Sequence, residues 1–271
     1  MYRAALALAL LLVGFPLSAT AQKDTLRLTL PDERTIPDGP LGDAVRYGKN
    51  ILTQTTLYAR AYVGNELNCS SCHLDAGTKA YAAPWVGLWG MFPEYRGRNA
   101  KVNSLQERVN DCFERSMNGR PLALDSDEMR AILSYVWWLS RRVPTGVEVR
   151  GRGFVRIKAE RAPDPERGRA LYAEKCTACH GADGQGRSGS NGEYLFPALW
   201  GPKSFNIGAG MARLNTAAAF TKANMPRGQE NVLTDQQAVD IAAYFTRQPR
   251  PDFPAKIHDW PKGGKPKDAP Y

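Results

Sequence analysis

Asn68-Cys69-Ser70-Ser71-Cys72-His73 is the stretch on which the reading of this chain turns. Two thiols about one helical turn apart can add to the two vinyl groups of a haem, and the histidine that follows can reach the iron from the proximal side. This is the c-type haem attachment spacing. It recurs at Cys176-Thr177-Ala178-Cys179-His180, so the two motifs take four of the five cysteines and two of the three histidines. The expected cofactors are two covalently bound haem c groups, held by Cys69, Cys72 and His73 and by Cys176, Cys179 and His180. The fifth cysteine, Cys112, is left over. The third histidine, His258, reads as an ordinary surface residue.

The 271-residue chain opens on Met1-Tyr2-Arg3, an apolar run from Ala4 to Leu17, and Ala19-Thr20-Ala21. A charged start, a short apolar stretch and a small-residue cleavage site make residues 1–21 an expected signal peptide cut after Ala21. The run is too short to span a membrane and no later stretch is long or apolar enough, so the expected product is a periplasmic protein without a membrane span. Export also permits disulfides, but a disulfide leaves the trailing histidines unexplained. The formal net charge of +9 suits an anionic substrate or an acidic redox partner. Nucleic acid is not expected, because the protein is exported and has no dense basic run.

Outward from the first motif, residues 22–40 are polar and proline-containing and read as an extended N-terminal arm. Residues 41–57 carry Ala44, Tyr47, Ile51 and Leu52 at helical spacing. After the motif come a Gly/Pro/aromatic loop over 83–90, a helix over 104–117 that contains Cys112, and a helix over 129–142 that Asp125-Ser126-Asp127-Glu128 caps. Residues 144–164, rich in Gly, Arg and Pro, read as a linker. The order then repeats: a helix from Pro165 into the second motif, a Leu199-Trp200-Gly201 that echoes Leu88-Trp89-Gly90, a short helix over 217–223, and a last helix capped by Thr234-Asp235-Gln236-Gln237. The halves form a diverged repeat. Each is similar to a class I cytochrome c domain, so the expected fold is all-α, with domains over 41–143 and 165–248 and an irregular tail over 249–271 draped on the surface.

A haem bound by its proximal histidine has one more axial position. Methionine there raises the reduction potential, whereas thiolate lowers it. In the second half Met225 lies in an Asn224-Met225-Pro226 turn before the last helix and is the expected ligand. Met211, in a glycine-rich loop, is a haem-edge contact or spare ligand. Core packing is the competing reading of either. In the first half Met117 and Cys112 compete. A lone cysteine is often a small buried hydrophobe, but an unpaired thiol in an exported chain is conspicuous. Arg98, Gln106, Arg108, Arg115 and Ser116 surround it in sequence, and on a helix Arg108 and Ser116 share its face. Cations favour the thiolate and suit a doubly charged oxyanion.

The two repeats, Asp111-Cys112-Phe113-Glu114-Arg115-Ser116-Met117-Asn118-Gly119, Tyr95-Arg96-Gly97-Arg98 and Gly208-Ala209-Gly210-Met211 together resemble the dihaem thiosulfate dehydrogenases over most of the chain. The resemblance implies coupling of two thiosulfates to tetrathionate, a reaction that also runs in reverse. It implies His73/Cys112 coordination at a catalytic haem and His180/Met225 coordination at an electron-transfer haem. Arg98, Arg108 and Ser116 then line the anion pocket, and Cys112 is a candidate carrier of one thiosulfate as a transient S-thiosulfonate. A soluble cytochrome c or another high-potential carrier takes the electrons. Some members have a lysine before the distal methionine that competes for the iron; Asn224 stands here, so that exchange is not expected.

Three other readings stand beside this one. The first is a non-catalytic dihaem electron carrier with His/Met ligation at both haems, through Met117 and Met225. The second is sulfur transfer to a carrier protein. The third is a zinc site built from the two Cys-x-x-Cys pairs, which leaves the adjacent histidines without a role.

Overall fold

The computed structural model describes residues 25–189 and 194–271; the expected signal peptide lies outside them. Nine α-helices are found among the described residues. They are α1 (Pro40–Thr53), α2 (Thr55–Tyr58), α3 (Leu74–Gly77), α4 (Leu105–Arg115), α5 (Asp127–Ser140), α6 (Pro165–Lys175), α7 (Thr177–His180), α8 (Leu214–Asn224) and α9 (Asp235–Thr246). Six short strands pair two by two. β1 (Thr25–Leu26) lies parallel to β4 (Glu148–Val149), and β2 (Glu94–Arg96) antiparallel to β3 (Lys101–Asn103). β5 (Arg187–Ser188) lies antiparallel to β6 (Tyr194–Phe196).

The helices begin where local chemistry starts them. Ser104 Oγ accepts from Glu107 N at 3.2 Å and the Glu107 carboxylate accepts from Ser104 N at 2.7 Å, a reciprocal cap that opens α4. Thr234 and Gln237 do the same for α9, at 3.1 and 2.8 Å. Ser126 caps α5 and Asp164 caps α6. Each cap satisfies backbone donors that the first helical turn leaves free and contributes about 1 kcal/mol.

Each half is built on one helix crossing. In the first, α1 lays Val45, Ile51 and Leu52 against Met129, Ile132, Tyr135 and Val136 of α5, all buried. In the second, Tyr172 of α6 packs with Val239, Ile241, Ala242 and Phe245 of α9. Burying such side chains stabilises by roughly 1.5–3 kcal/mol apiece. Both crossings occur at a glycine. A Cβ on Gly48 would run into the Ala131 carbonyl, and one on Gly168 into the Asp240 carbonyl. The diverged sequences therefore keep one frame.

The connecting segments are more tightly held than their composition suggests. The N-terminal arm is tied down: it pairs as β1 with β4, and Lys49 bonds Glu33 in its 3-10 turn. The segment between the halves buries Val149 and receives hydrogen bonds from Tyr81 N to Gly151 O at 2.6 Å and from Ala83 N to Gly153 O at 2.9 Å. The tail over 249–271 runs over the surface, with none of its residues buried, and is pinned there as a clasp. Pro249 O and Pro251 O accept from Gly201 N and Ile207 N at 2.7 and 2.9 Å. Further on, Asp259 takes both arms of Arg115 on α4, each at 2.8 Å, and Tyr271 OH also donates to it. Asp268 returns to the second half, accepting from Arg213 and from Asn215 N. Phe205, Ala209 and Ala212 of the second half are part of the first half's core.

Candidate active site

The two haem-motif histidines are oriented by the same device. His73 Nδ1–H donates to Ala83 O at 2.7 Å and His180 Nδ1–H to Pro197 O at 2.9 Å. A carbonyl only accepts, so each ring carries its proton on Nδ1 and turns the Nε2 lone pair outward, the tautomer an iron needs. Burial also holds His180 below the usual imidazole range, against the pull of the Pro197 bond. Thr55, fully buried, braces the first motif: its hydroxyl accepts from Cys69 N at 2.9 Å and donates to Cys69 Sγ at 3.3 Å.

His73, Cys69 and Cys72 line a cavity of about 320 Å³ whose opposite wall is α4. His180, Cys176 and Cys179 line one of about 440 Å³ that Met225, at the end of α8, also lines. Both sizes lie in the range of cofactor sites, about 300–1,000 Å³. The cavities adjoin: Leu67, Asn68, Cys72, Phe205 and Met211 line both. Met211, expected at a haem edge, thus sits on the shared wall. No two of the five cysteines are joined in a disulfide. Among the described residues no group of three or more His, Cys, Asp and Glu side chains is gathered to hold a metal ion, so the two cysteine pairs do not meet at a zinc. Paired thiols, one oriented imidazole and apolar walls in each cavity fit a haem c.

The distal walls differ. In the first cavity Cys112, Ser116 and Met117 all face the space from α4 or its end, with Arg108 one turn before Cys112. Arg108 donates to Cys112 Sγ at 2.9 Å. Burial pushes the Cys69 and Cys72 thiols up to about 12. It pushes Cys112 the same way, but the Arg108 guanidinium beside it opposes burial and draws this thiol below its ordinary value. One thiol of three in the same cavity is thus poised as a thiolate, the form that binds metals and attacks. Met117 is 2% exposed and packed in the core. In the second cavity Met225 packs against Leu74, Ala82 and Phe220.

Of the expected anion-pocket residues, the structure brings Arg108 and Ser116 together with Cys112, and Arg98 elsewhere. Arg98 is not among the residues lining the cavity. It donates to Gly208 O at 2.6 Å, lies 3.9 Å from the Asp259 carboxylate, and stacks on Trp260 at 5.2 Å. Burial, and then the neighbouring charge of Arg115, lower its affinity for a proton. Arg98 is thus bound to the loop that leads to Met211. Two arginines that sequence reasoning did not single out do line the cavity: Arg96 on β2, paired with Glu94 at 3.1 Å, and Arg152 from the segment between the halves. Arg96 was within the quoted Tyr95–Arg98 stretch, two residues from the one selected; Arg152 gave no signal in a segment full of arginines.

The end of α4 is tied to the second half, directly and through Asn65. Asn65 donates to Ser116 O at 2.8 Å and Ser204 O at 3.2 Å, and Asn206 donates to Glu114 O at 2.8 Å. The wall that carries Cys112 therefore belongs to both halves.

A family profile described as SoxA/TsdA, cytochrome c domain matches residues 55–145, and one described as Cytochrome C oxidase, cbb3-type, subunit III matches residues 163–245. The chain is 51% identical over 242 residues to a thiosulfate dehydrogenase of Psychrobacter arcticus, covering 89% of this chain and 74% of that one. It is 46% identical over 248 residues to a thiosulfate dehydrogenase of Allochromatium vinosum, covering 90% and 92%. Among solved structures, thiosulfate dehydrogenase (TsdBA) from Marichromatium purpuratum superposes with a TM-score of 0.80 at 42% identity, over 84% of this chain and 50% of that one. The fold is two cytochrome c domains carrying two covalent haem c groups. With matches of this strength over some nine-tenths of its length, the chain belongs to the thiosulfate dehydrogenase family.

Proposed function

We propose that this enzyme couples two thiosulfates to tetrathionate and passes the two electrons to an external cytochrome-type carrier: two S2O3²⁻ give S4O6²⁻ and two electrons. The observation that carries this reading is the Arg108–Cys112 contact of 2.9 Å inside the cavity that His73 lines. A thiolate and a guanidinium facing the same space make a site for a sulfur dianion, whereas a plain electron carrier has no use for either. When bound, each haem c supplies one-electron chemistry, so two of them take up the two electrons that each coupling releases.

The residues divide the work. His73 and Cys112 would hold the iron of the working haem, and His180 and Met225 that of the relay. Arg108, with Ser116, binds thiosulfate oxygens through charge-assisted and neutral hydrogen bonds. Arg96 and Arg152 add positive charge to the same walls, and Arg98 keeps the loop at Gly208 against them. Leu67, Asn68, Cys72, Phe205 and Met211, common to both cavities, would separate the two groups. Among the described residues no helix is long and apolar enough to cross a membrane. The leader read in residues 1–21 favours a periplasmic enzyme.

The test is a steady-state assay of the fully haem-loaded protein with thiosulfate and an artificial one-electron acceptor. Thiosulfate-dependent acceptor reduction with tetrathionate as product is expected. No reduction in dihaem protein supports the plain carrier, with Met117 in place of Cys112.

A further inference from the structure

Asn224, the last residue of α8, is fully buried and stands beside Met225. Its Nδ2 donates to Phe220 O at 3.1 Å, within its own helix, and to Tyr81 O at 3.2 Å, in the first domain. Both neighbours are carbonyls, so the amide cannot be turned over. Its Oδ1 is buried with no hydrogen-bond partner among the described residues. Such a group is costly, and an apolar residue would avoid the cost. The donor half must therefore be what the site keeps.

What that donor holds is the turn that orients the other domain's histidine. Two residues after Tyr81, Ala83 O accepts from His73 Nδ1 at 2.7 Å. Tyr81 and Ala83 both have positive φ, 61° and 47°, a conformation that side-chain-bearing residues keep only when their surroundings impose it. The imposing bonds are those to Gly151, Gly153 and Asn224. Packing joins the same parts: Leu74, next to His73, forms one buried cluster with Ala82 and Phe220, and Met225 packs against it.

We propose that Asn224 is a positioning residue that couples the two axial-ligand sets: one amide ties the turn that fixes His73 to the segment that carries Met225. This rests on the reading of His73 and Met225 as ligands. A shift of Met225 pulls on Tyr81, and the turn passes it to the acceptor of the His73 ring. The effect is reciprocal, as any coupling between sites must be.

Asn224→Ser separates the two bonds, because a serine hydroxyl back-bonds to the carbonyl four residues earlier but is too short to reach Tyr81. Asn224→Ala removes both bonds. Glu230→Gln serves as control, since it breaks the Lys79–Glu230 ion pair of 3.3 Å across the same seam without touching the amide. Each is prepared as dihaem protein, and the low-spin EPR signal and midpoint potential of the first haem are read beside the ferric methionine band of the second. In Asn224→Ser and Asn224→Ala the first haem's signal and midpoint are expected to shift, though no residue of its own domain has changed. In Glu230→Gln neither shifts. Changes confined to the second haem, no change at all, an equal effect of Glu230→Gln, or failure of both Asn224 variants to hold two haems overturns the coupling. Absence of the methionine band from the unaltered protein overturns the ligand assignment, and the coupling with it.

Discussion

The two halves of this molecule share a frame and differ in one wall. Each crosses two helices at a glycine, Gly48 under Ala131 and Gly168 under Asp240. Each donates its haem-motif histidine to a downstream backbone carbonyl, Ala83 or Pro197. The opposite walls diverge. The first presents a thiol one turn from an arginine on a polar helix; the second presents a methionine among aromatic and aliphatic side chains. The two halves thus agree in what would hold a haem and differ in the segment between loop and last helix, which on the function proposed above is the part that meets substrate.

The comparison can be broken most severely at Cys112. Cys112→Gly is expected to keep two haems, since both attachment motifs and both histidine bonds are untouched, and to lose thiosulfate turnover entirely in the acceptor assay. Next comes the shared frame. Gly48→Val and Gly168→Val place side chains against backbone that has no room to yield, and each is expected to cost about 3 kcal/mol in denaturant unfolding of the haem-loaded protein, the upper end of overpacking penalties. Similar losses in both domains support one inherited frame; a tolerated valine in either argues against it. Arg108→Gln removes the charge beside Cys112 and is expected to lower kcat/KM for thiosulfate about 10–100-fold, the worth of a hydrogen bond to a charged group, and to leave the second haem's spectrum as it was. The smallest effect is expected at the clasp. Asp259→Asn leaves Arg115, with 12% of its side chain exposed, facing a neutral amide, and is expected to cost about 1–2 kcal/mol of stability with little change at either haem.

Much of the frame was readable because it is written locally. The haem motifs are contiguous, and the caps at Ser104, Ser126, Asp164 and Thr234 act within three residues. Cys112 was readable because an odd thiol stands out by residue type. The rest was hidden by its nature. Ala83 and Pro197 contribute a backbone oxygen, which carries no residue signature. Arg115 meets Asp259 from 144 residues away, and Phe205 enters the other half's core; no periodicity announces such contacts. Arg96 and Arg98 were indistinguishable as letters. The structure separates them, because the end of β2 puts Arg96 on the cavity while Asp259, Trp260 and Gly208 hold Arg98 outside it.

The inequality of the two halves is tested most directly by low-temperature EPR of the oxidised dihaem protein, recorded beside Cys112→Gly. The account predicts one low-spin thiolate-ligated haem and one His/Met haem, with only the thiolate signal lost in the variant. Two His/Met signals that survive the substitution would contradict it.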